Sequence, residues 1–372
     1  MKTIGITGQN GFVGSHLYNT LGLNPEKFTR VDFQKEYFEN PVQLDDFVKQ
    51  CDVIVHLAAM NRHPDPEVIY HQNVDLVKKL VASLKRTGSK AHLLFSSSSQ
   101  EERDNLYGKS KKEGRSLLAN WAKNNGGIFT GMIIPNVFGP FGKPNYNSFV
   151  ATFCHKLTHG ENPTIDVDGE VRIIYVGELV QEIISKIDSG ETVEHYMVPF
   201  TTAIKVSEVL SKLENYKKLY FEGGEIPELK SDFDYQLFNT FRCYFDIKNH
   251  YPVKFKQNMD PRGAFVEVIR LGIGGQCSYS TTVPGITRGN HFHTRKIERF
   301  AVIKGKALIQ LRKIDTEEIL DFYLDGTEPA YVDMPIWYTH NIKNIGDQEL
   351  LTIFWINEPY NEEDPDTYFV EV

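Results

Sequence analysis

The first fourteen residues constrain the fold more than any others. The apolar run Thr3-Ile4-Gly5-Ile6-Thr7 passes directly into Gly8-Gln9-Asn10-Gly11-Phe12-Val13-Gly14 and then into a helical stretch. Glycines at this spacing permit a tight turn, let backbone approach a pyrophosphate and allow a helix to pack closely on its strand, while the helix N-terminus attracts phosphate charge. A glycine trio alone is a weak signal. Here it follows a strand and opens a strand-helix-strand unit of about 30 residues, the context in which such glycines bind dinucleotides.

The same alternation continues to about residue 245. Short apolar strands (Asp52 to Leu57, His92 to Ser96) are separated by helical stretches such as Pro66 to Leu84 and Lys109 to Lys123, the rhythm of a doubly wound parallel sheet. From about Tyr251 the texture changes to short strands of alternating polarity with glycine or proline turns, as in Ala301-Val302-Ile303, Ala307 to Leu311 and Leu350 to Trp355. That pattern predicts an all-β barrel or sandwich. The expected architecture is therefore an α/β Rossmann domain over residues 1–245 followed by an all-β domain over residues 246–372. A chain of 372 residues exceeds the roughly 250 to 300 at which one core stops growing, which agrees with two domains.

Composition excludes several classes. Lys and Arg number 41 against 49 Asp and Glu, so the net charge of −8 argues against a nucleic-acid partner. The 41% hydrophobic content is that of a globular protein, no apolar run approaches ~18 residues, and Met1 to Gly5 leaves no room for a signal-peptide core, so a cytoplasmic protein without membrane association is expected. The four cysteines (Cys51, Cys154, Cys243, Cys277) are scattered without a C-x-x-C pair. Any metal must then be sought among nitrogen and oxygen ligands.

Four ordered motifs in the first domain resemble the extended short-chain dehydrogenase/reductase superfamily: the G-x-x-G-x-x-G turn, Leu57-Ala58-Ala59, Ser96 to Ser99, and Tyr107-Gly108-Lys109-Ser110-Lys111. Tyr-x-x-x-Lys puts both side chains on one helical face, and a nearby ammonium helps a phenol exchange protons at neutral pH. The resemblance implies that Gly8, Gly11 and Gly14 cradle a nicotinamide dinucleotide, Tyr107 donates a proton to a carbonyl receiving hydride, Lys111 tunes Tyr107 and binds the nicotinamide ribose, and Ser98, with Ser97 and Ser99 as fallbacks, orients the carbonyl. Dehydratases of the superfamily carry Thr-Asp-Glu where this chain reads Ser98-Ser99-Gln100, which disfavours dehydration. Asn136 in Pro135-Asn136-Val137-Phe138-Gly139-Pro140 and Arg172 resemble the residues that contact a sugar-nucleotide diphosphate. Asp32, after the second strand, would accept from the ribose 2′-OH of NAD and repel a 2′-phosphate.

In the second domain Gly285-x5-His291-x-His293-x4-Glu298-x6-Gly305 matches the first cupin motif, and Pro335-x-Trp337-x2-His340-x3-Asn344 matches the second in part, with Trp337 in place of the usual glycine. Residues two apart on a strand face the same side, so His291 and His293 can bind one ion, with Glu298 and His340 completing the set. Zn, Fe, Ni or Mn all suit these ligands.

A reductase followed by a metal cupin resembles, almost end to end, the CapF-type bifunctional enzymes of capsular polysaccharide synthesis. Lys143-Pro144-Asn145-Tyr146-Asn147-Ser148, Tyr338-Thr339-His340-Asn341 and Pro365-Asp366-Thr367-Tyr368-Phe369 are among the shared segments. The resemblance implies metal-dependent C3 epimerisation of a UDP-4-keto-2-acetamido-2,6-dideoxyhexose by the cupin and then C4 reduction to UDP-2-acetamido-2,6-dideoxy-L-talose, in UDP-N-acetyl-L-fucosamine synthesis. It also implies zinc as the metal, with other divalent ions as alternatives, and NADPH as the reductant, with NADH as the alternative that Asp32 favours. A homodimer acting on a UDP-sugar is expected. For the C3 base Tyr338 is one candidate, and Arg295 or Lys296 could bind substrate. The competing reading is a monofunctional nucleotide-sugar 4-ketoreductase whose cupin serves only binding or dimerisation.

Overall fold

A computed structural model describes residues 1–261 and 263–372. The chain divides into two compact units: Met1–Thr152 with Ile165–Glu208, and Phe153–Thr164 with Val209–Val372. The residues from 209 to 245, assigned to the first domain by the sequence pattern, thus group with the β-rich unit.

In the first unit, β1 (Lys2–Thr7), β2 (Phe28–Val31), β3 (Val53–His56), β4 (His92–Ser98) and β5 (Ile128–Ile134) are joined by β8 (Val193–Met197) in one parallel sheet of order β2-β1-β3-β4-β5-β8. Strands β6 (Asn136–Phe138), β7 (Glu170–Tyr175) and β9 (Thr202–Lys205) form a separate three-stranded sheet. The central strands are apolar on both faces because both are covered. Helices α2 (Pro41–Gln50), α3 (Pro66–Thr87) and α4 (Leu106–Asn125) cover one face, where Phe47, Leu80, Leu93 and Trp121 pack. On the other face α1 (Phe12–Gly22) and α6 (Val176–Ser189) bury Leu17, Leu179 and Ile183 against Ile4 and Met132.

Local chemistry sets the helix ends. The Asp65 carboxylate caps α3 ahead of Pro66, and Gly88 ends it in the left-handed conformation. Asn105 caps α4 by accepting from the Gly108 amide at 2.7 Å, so that helix begins three residues before the predicted Lys109 and places Tyr107 in its first turn.

The second unit begins with helices. It contains α5 (Phe149–Thr158) from Phe153 onward, α7 (Val206–Tyr216) from Val209 onward, α8 (Asp232–Arg242) and the short α9 (Ile247–His250). Its strands are β10 (Val253–Lys254), β11 (Gln257–Asp260), β12 (Gly263–Val266), β13 (Gln276–Thr282), β14 (Thr287–Phe292), β15 (Glu298–Lys304), β16 (Lys306–Lys313), β17 (Ile319–Asp325), β18 (Ala330–Met334), β19 (Tyr338–Asn344), β20 (Leu350–Ile356) and β21 (Tyr368–Phe369). Ten of these form two five-stranded antiparallel sheets, ordered β10-β18-β15-β20-β13 and β17-β16-β19-β14-β21. This is the two-sheet architecture expected of a cupin. Among the described residues no helix is long and apolar enough to cross a membrane.

Candidate active sites in the two units

The glycine turn of the first unit is built for close approach. Gly8 has φ +82°, and a Cβ at Gly14 would lie 2.1 Å from the Gly8 carbonyl oxygen, so neither position accepts a side chain without moving the turn. No side chain caps α1 and no acidic residue occupies its first turn, leaving its amides for an anion. These residues fit the pyrophosphate of a dinucleotide. Asp32 stands exposed after β2, where one carboxylate oxygen accepts from the Tyr18 phenol at 3.0 Å. Arg30 stacks on that same Tyr18 ring, 4.1 Å from its centroid, and donates to the Tyr18 carbonyl.

Ser98, Tyr107 and Lys111 come together at the C-terminal end of β4 and the start of α4. Burial pushes the Tyr107 phenol up to about 12, while a hydrogen bond with Ser98 pulls the other way. Among the three candidate serines, Ser97 is committed to Glu101 and Ser98 is the one paired with Tyr107. The expected lowering of Tyr107 by an ammonium is absent. Lys111 is only 4% exposed, its Nζ lies 5.8 Å from the Tyr107 ring centroid and donates to the Ser96 carbonyl at 2.8 Å, and burial lowers its own pKa to about 8.

Supporting residues here carried no motif in the sequence. Asn73 accepts from the Met60 amide at 2.7 Å and donates to the Ser110 hydroxyl at 3.2 Å, tying the loop after β3 to α4. Arg62 donates from one nitrogen to the carbonyls of Asn145 and Tyr146, both at 3.1 Å. Asn136 and Arg172 lie on the paired strands β6 and β7, both exposed, with the Arg172 guanidinium 5.1 Å from the Phe200 ring centroid.

In the second unit the predicted quartet converges. One ligand atom from each of His291, His293, Glu298 and His340 lies within 4.8 Å of the others. The strands explain this: His291 on β14 is the register partner of His340 on β19, next to a bulge at Gly289 and Asn290, while Glu298 reaches in from β15 of the facing sheet. Glu298 Oε2 lies 3.0 Å from His293 Nε2 and 3.1 Å from His340 Nε2. Burial opposes the charge on Glu298, but its two histidine partners outweigh burial and hold the carboxyl far below its usual range. Burial, reinforced by His340, lowers His291 to about 4, so that imidazole is neutral at pH 7.

Do these residues fit an ion? His340 Nε2 is buried without a hydrogen-bond partner of proper geometry, a cost that coordination to a cation would remove. The other ring nitrogens are already oriented, His293 Nδ1 on the Asp366 carbonyl at 2.5 Å and His340 Nδ1 on the Tyr338 carbonyl at 3.1 Å, which turns each Nε2 towards the cluster. Three imidazoles and an ionised carboxylate fit a divalent transition metal.

Arg295 is paired with Asp364 and Glu358, and Lys296, only 2% exposed, donates to the Pro365 carbonyl, so both cations hold the chain terminus in place. Burial raises the Tyr338 phenol, and the neighbouring Cys243 and Glu318 add to this.

Residues 4–198 match the NAD dependent epimerase/dehydratase family, slightly more than half of the chain. The chain belongs to that family. Residues 258–368 match the polysaccharide biosynthesis C-terminal domain. Over its full length the chain is 32% identical to a Pseudomonas aeruginosa protein named UDP-2-acetamido-2,6-beta-L-arabino-hexul-4-ose reductase, covering 99% of that protein. The capsular polysaccharide assembling protein CapF from Staphylococcus aureus is 33% identical with a TM-score of 0.63, each chain covered completely. The CapF-type architecture, a family reductase fold followed by a β domain, is thus present end to end. The structure of RMD from Pseudomonas aeruginosa complexed with NADPH, at 21% identity and a TM-score of 0.54 over 59% of this chain and 83% of that one, shares the fold of the first part. Family membership makes this a nicotinamide-dependent sugar-modifying enzyme.

Proposed function

We propose that the chain is a bifunctional nucleotide-sugar enzyme: its cupin-type unit epimerises C3 of a UDP-4-keto-2-acetamido-2,6-dideoxyhexose, and its first unit reduces C4 with NADPH to UDP-2-acetamido-2,6-dideoxy-L-talose. The observation that carries this reading is the co-occurrence of a complete Ser98-Tyr107-Lys111 set and a complete His291-His293-Glu298-His340 set in one chain. The full-length relative named for a UDP-linked hexul-4-ose supports the substrate class.

Gly8, Gly11 and Gly14 would hold the dinucleotide, with Lys111 at the nicotinamide ribose, and the bound nicotinamide supplies the hydride. Tyr107, buried and protonated throughout the neutral range, gives its proton to the sugar oxygen. The Ser98 hydroxyl orients that oxygen, and Asn136 and Arg172 bind the diphosphate. His291, His293, Glu298 and His340 would hold zinc or another divalent ion, which when bound supplies a Lewis acid for the negative charge of an enolate. Epimerisation at C3 needs the C4 ketone to acidify the carbon, and reduction removes that ketone, so epimerisation comes first. The proposal includes a cytoplasmic homodimer, as expected from the sequence.

The test is incubation of the 4-keto sugar with protein in deuterated water without nicotinamide. Deuterium entering C3, and lost in His291→Ala, is the expected result. No exchange in the parent chain would leave only the second reading, a 4-ketoreductase with a non-catalytic cupin, which the relative's name as a reductase favours.

A further inference from the structure

Three features around the histidines are unexplained by the ligand set. Trp337 adopts φ +62°, a left-handed conformation that costs a bulky residue free energy, at the position where the cupin motif usually carries glycine. Asp366 is also left-handed at φ +41° and only 2% exposed, though it lies six residues from the last residue of the chain. Phe292, between His291 and His293, is flanked by two aromatic rings: Trp337 at 5.4 Å between centroids and Tyr368 at 5.2 Å, both stacked.

These features share one geometry. Alternation along β14 sends Phe292 to the face opposite His291, and His293 follows the strand's last residue directly, so gripping Phe292 holds the segment that aims both imidazoles. The Trp337 amide donates to the His293 carbonyl at 2.8 Å, and the Ile314 amide donates to the Trp337 carbonyl at 2.9 Å. On the other side β21 pairs with β14, His291 opposite Phe369 and Phe292 opposite Tyr368, and the Val370 amide donates to the Asn290 carbonyl. Asp366 contributes twice. Its carbonyl accepts from His293 Nδ1, and its carboxylate takes the Thr294 amide and hydroxyl on one oxygen and the Arg295 and Lys296 amides on the other, all between 2.6 and 3.0 Å.

We propose that this C-terminal strap and the Trp337-Phe292-Tyr368 stack are the positioning shell of the cation site, with Asp366 and Tyr368 setting its affinity without touching the ion. The proposal rests on the metal reading above. Groups that orient a ligand from behind change metal affinity by about 10- to 100-fold when removed. A strap that merely closed the barrel would affect stability alone.

The experiment is titration of the full-length apoprotein with Co²⁺, whose visible absorption reports ligand number and geometry, with near-ultraviolet circular dichroism as the check on folding. Asp366→Asn keeps one acceptor oxygen but loses the amides of Arg295 and Lys296, and is expected to weaken Co²⁺ by about tenfold with an altered spectrum. Tyr368→Ala should weaken it similarly, whereas Tyr368→Phe, which keeps the ring, should match the parent chain. Folded Asp366→Asn with parental affinity and spectrum overturns the proposal, and this variant decides the matter if Tyr368→Ala does not fold. A parent chain that binds no Co²⁺, or binds it equally after His291→Ala, overturns the metal reading and the proposal with it. Weaker binding in the strap variants against a parent that loses Co²⁺ on His291→Ala supports both.

Discussion

At the residue scale, burial decides what the polar groups of the reductase site can do. Tyr107, raised to about 12, is an acid at every physiological pH, which suits the proton donor of a reduction. Lys111 is the group that changes: its charged form is lost as pH rises through about 8. The expected kcat/KM for ketone reduction is therefore flat below pH 8 and falls above it, and Lys111→Met should be slow with no such fall. A profile unchanged to pH 10 would remove Lys111 from the reaction. We propose that Asp32 governs cofactor choice in a similarly local way. Two like charges about 4 Å apart in water repel by about 1 kcal/mol, or about fivefold in binding. Asp32→Asn should raise the NADPH to NADH ratio of kcat/KM by at least that factor, because Arg30 is turned onto Tyr18 and leaves the carboxylate as the nearest charge after β2. An unchanged ratio would place the ribose elsewhere. The motif residues were legible because each carries its chemistry in its type and spacing. Asp366, Asn73 and Arg62 were not, since each acts on backbone groups far away in sequence, and backbone contacts leave no side-chain pattern to read.

At the scale of elements, a doubly wound parallel sheet followed by an all-β domain was legible from hydrophobic periodicity, whereas the helical part of the second unit was not. Tyr235 to His250 has mixed character because its helix buries polar residues (Asn239, Thr240, Arg242) beside its apolar stripe of Phe233, Leu237, Phe238 and Phe241, and Arg242 joins a buried polar network. Asp333 of β18 is fully buried, bonded by Arg299 of β15 at 2.7 and 3.0 Å and by the Tyr220 phenol at 2.6 Å. Arg242 of α8 donates to Tyr220 and to the Met334 carbonyl, and Arg299 also reaches the Gly224 carbonyl. Two guanidiniums and one carboxylate in a dry interior leave little tolerance for loss of the anion. Asp333→Asn is expected to destabilise the chain by about 3–5 kcal/mol in denaturant unfolding, since it strands Arg299 without a counter-charge. Replacing both partners, Asp333→Leu with Arg299→Met, should cost less than Asp333→Asn alone. If the double variant is the less stable, the network contributes net stability of its own. Because Arg299 follows Glu298 directly, the same strand carries the cation site on one face and this ion pair on the other.

At the scale of the whole molecule, the question is whether the two reactions depend on each other. The chain has two compact units, each carrying one of the proposed catalytic sets, and the proposed chemistry requires only that the epimerised ketone survive long enough to meet a reductase site. Tyr107→Phe removes the proposed proton donor and leaves the proposed metal set intact, while His291→Ala does the reverse. Each variant alone should fail to oxidise NADPH with the unepimerised ketone, yet a mixture of the two should restore oxidation after a lag. Since the intermediate must then travel between molecules, the lag should shorten in proportion to the concentration of the Tyr107→Phe protein, and the final rate should follow the His291→Ala protein. Rapid oxidation by His291→Ala alone would show that reduction does not await epimerisation and would favour the plain 4-ketoreductase. A mixture that stays inactive while deuterium still enters C3 would mean that the ketone released by one molecule is lost before another can reduce it.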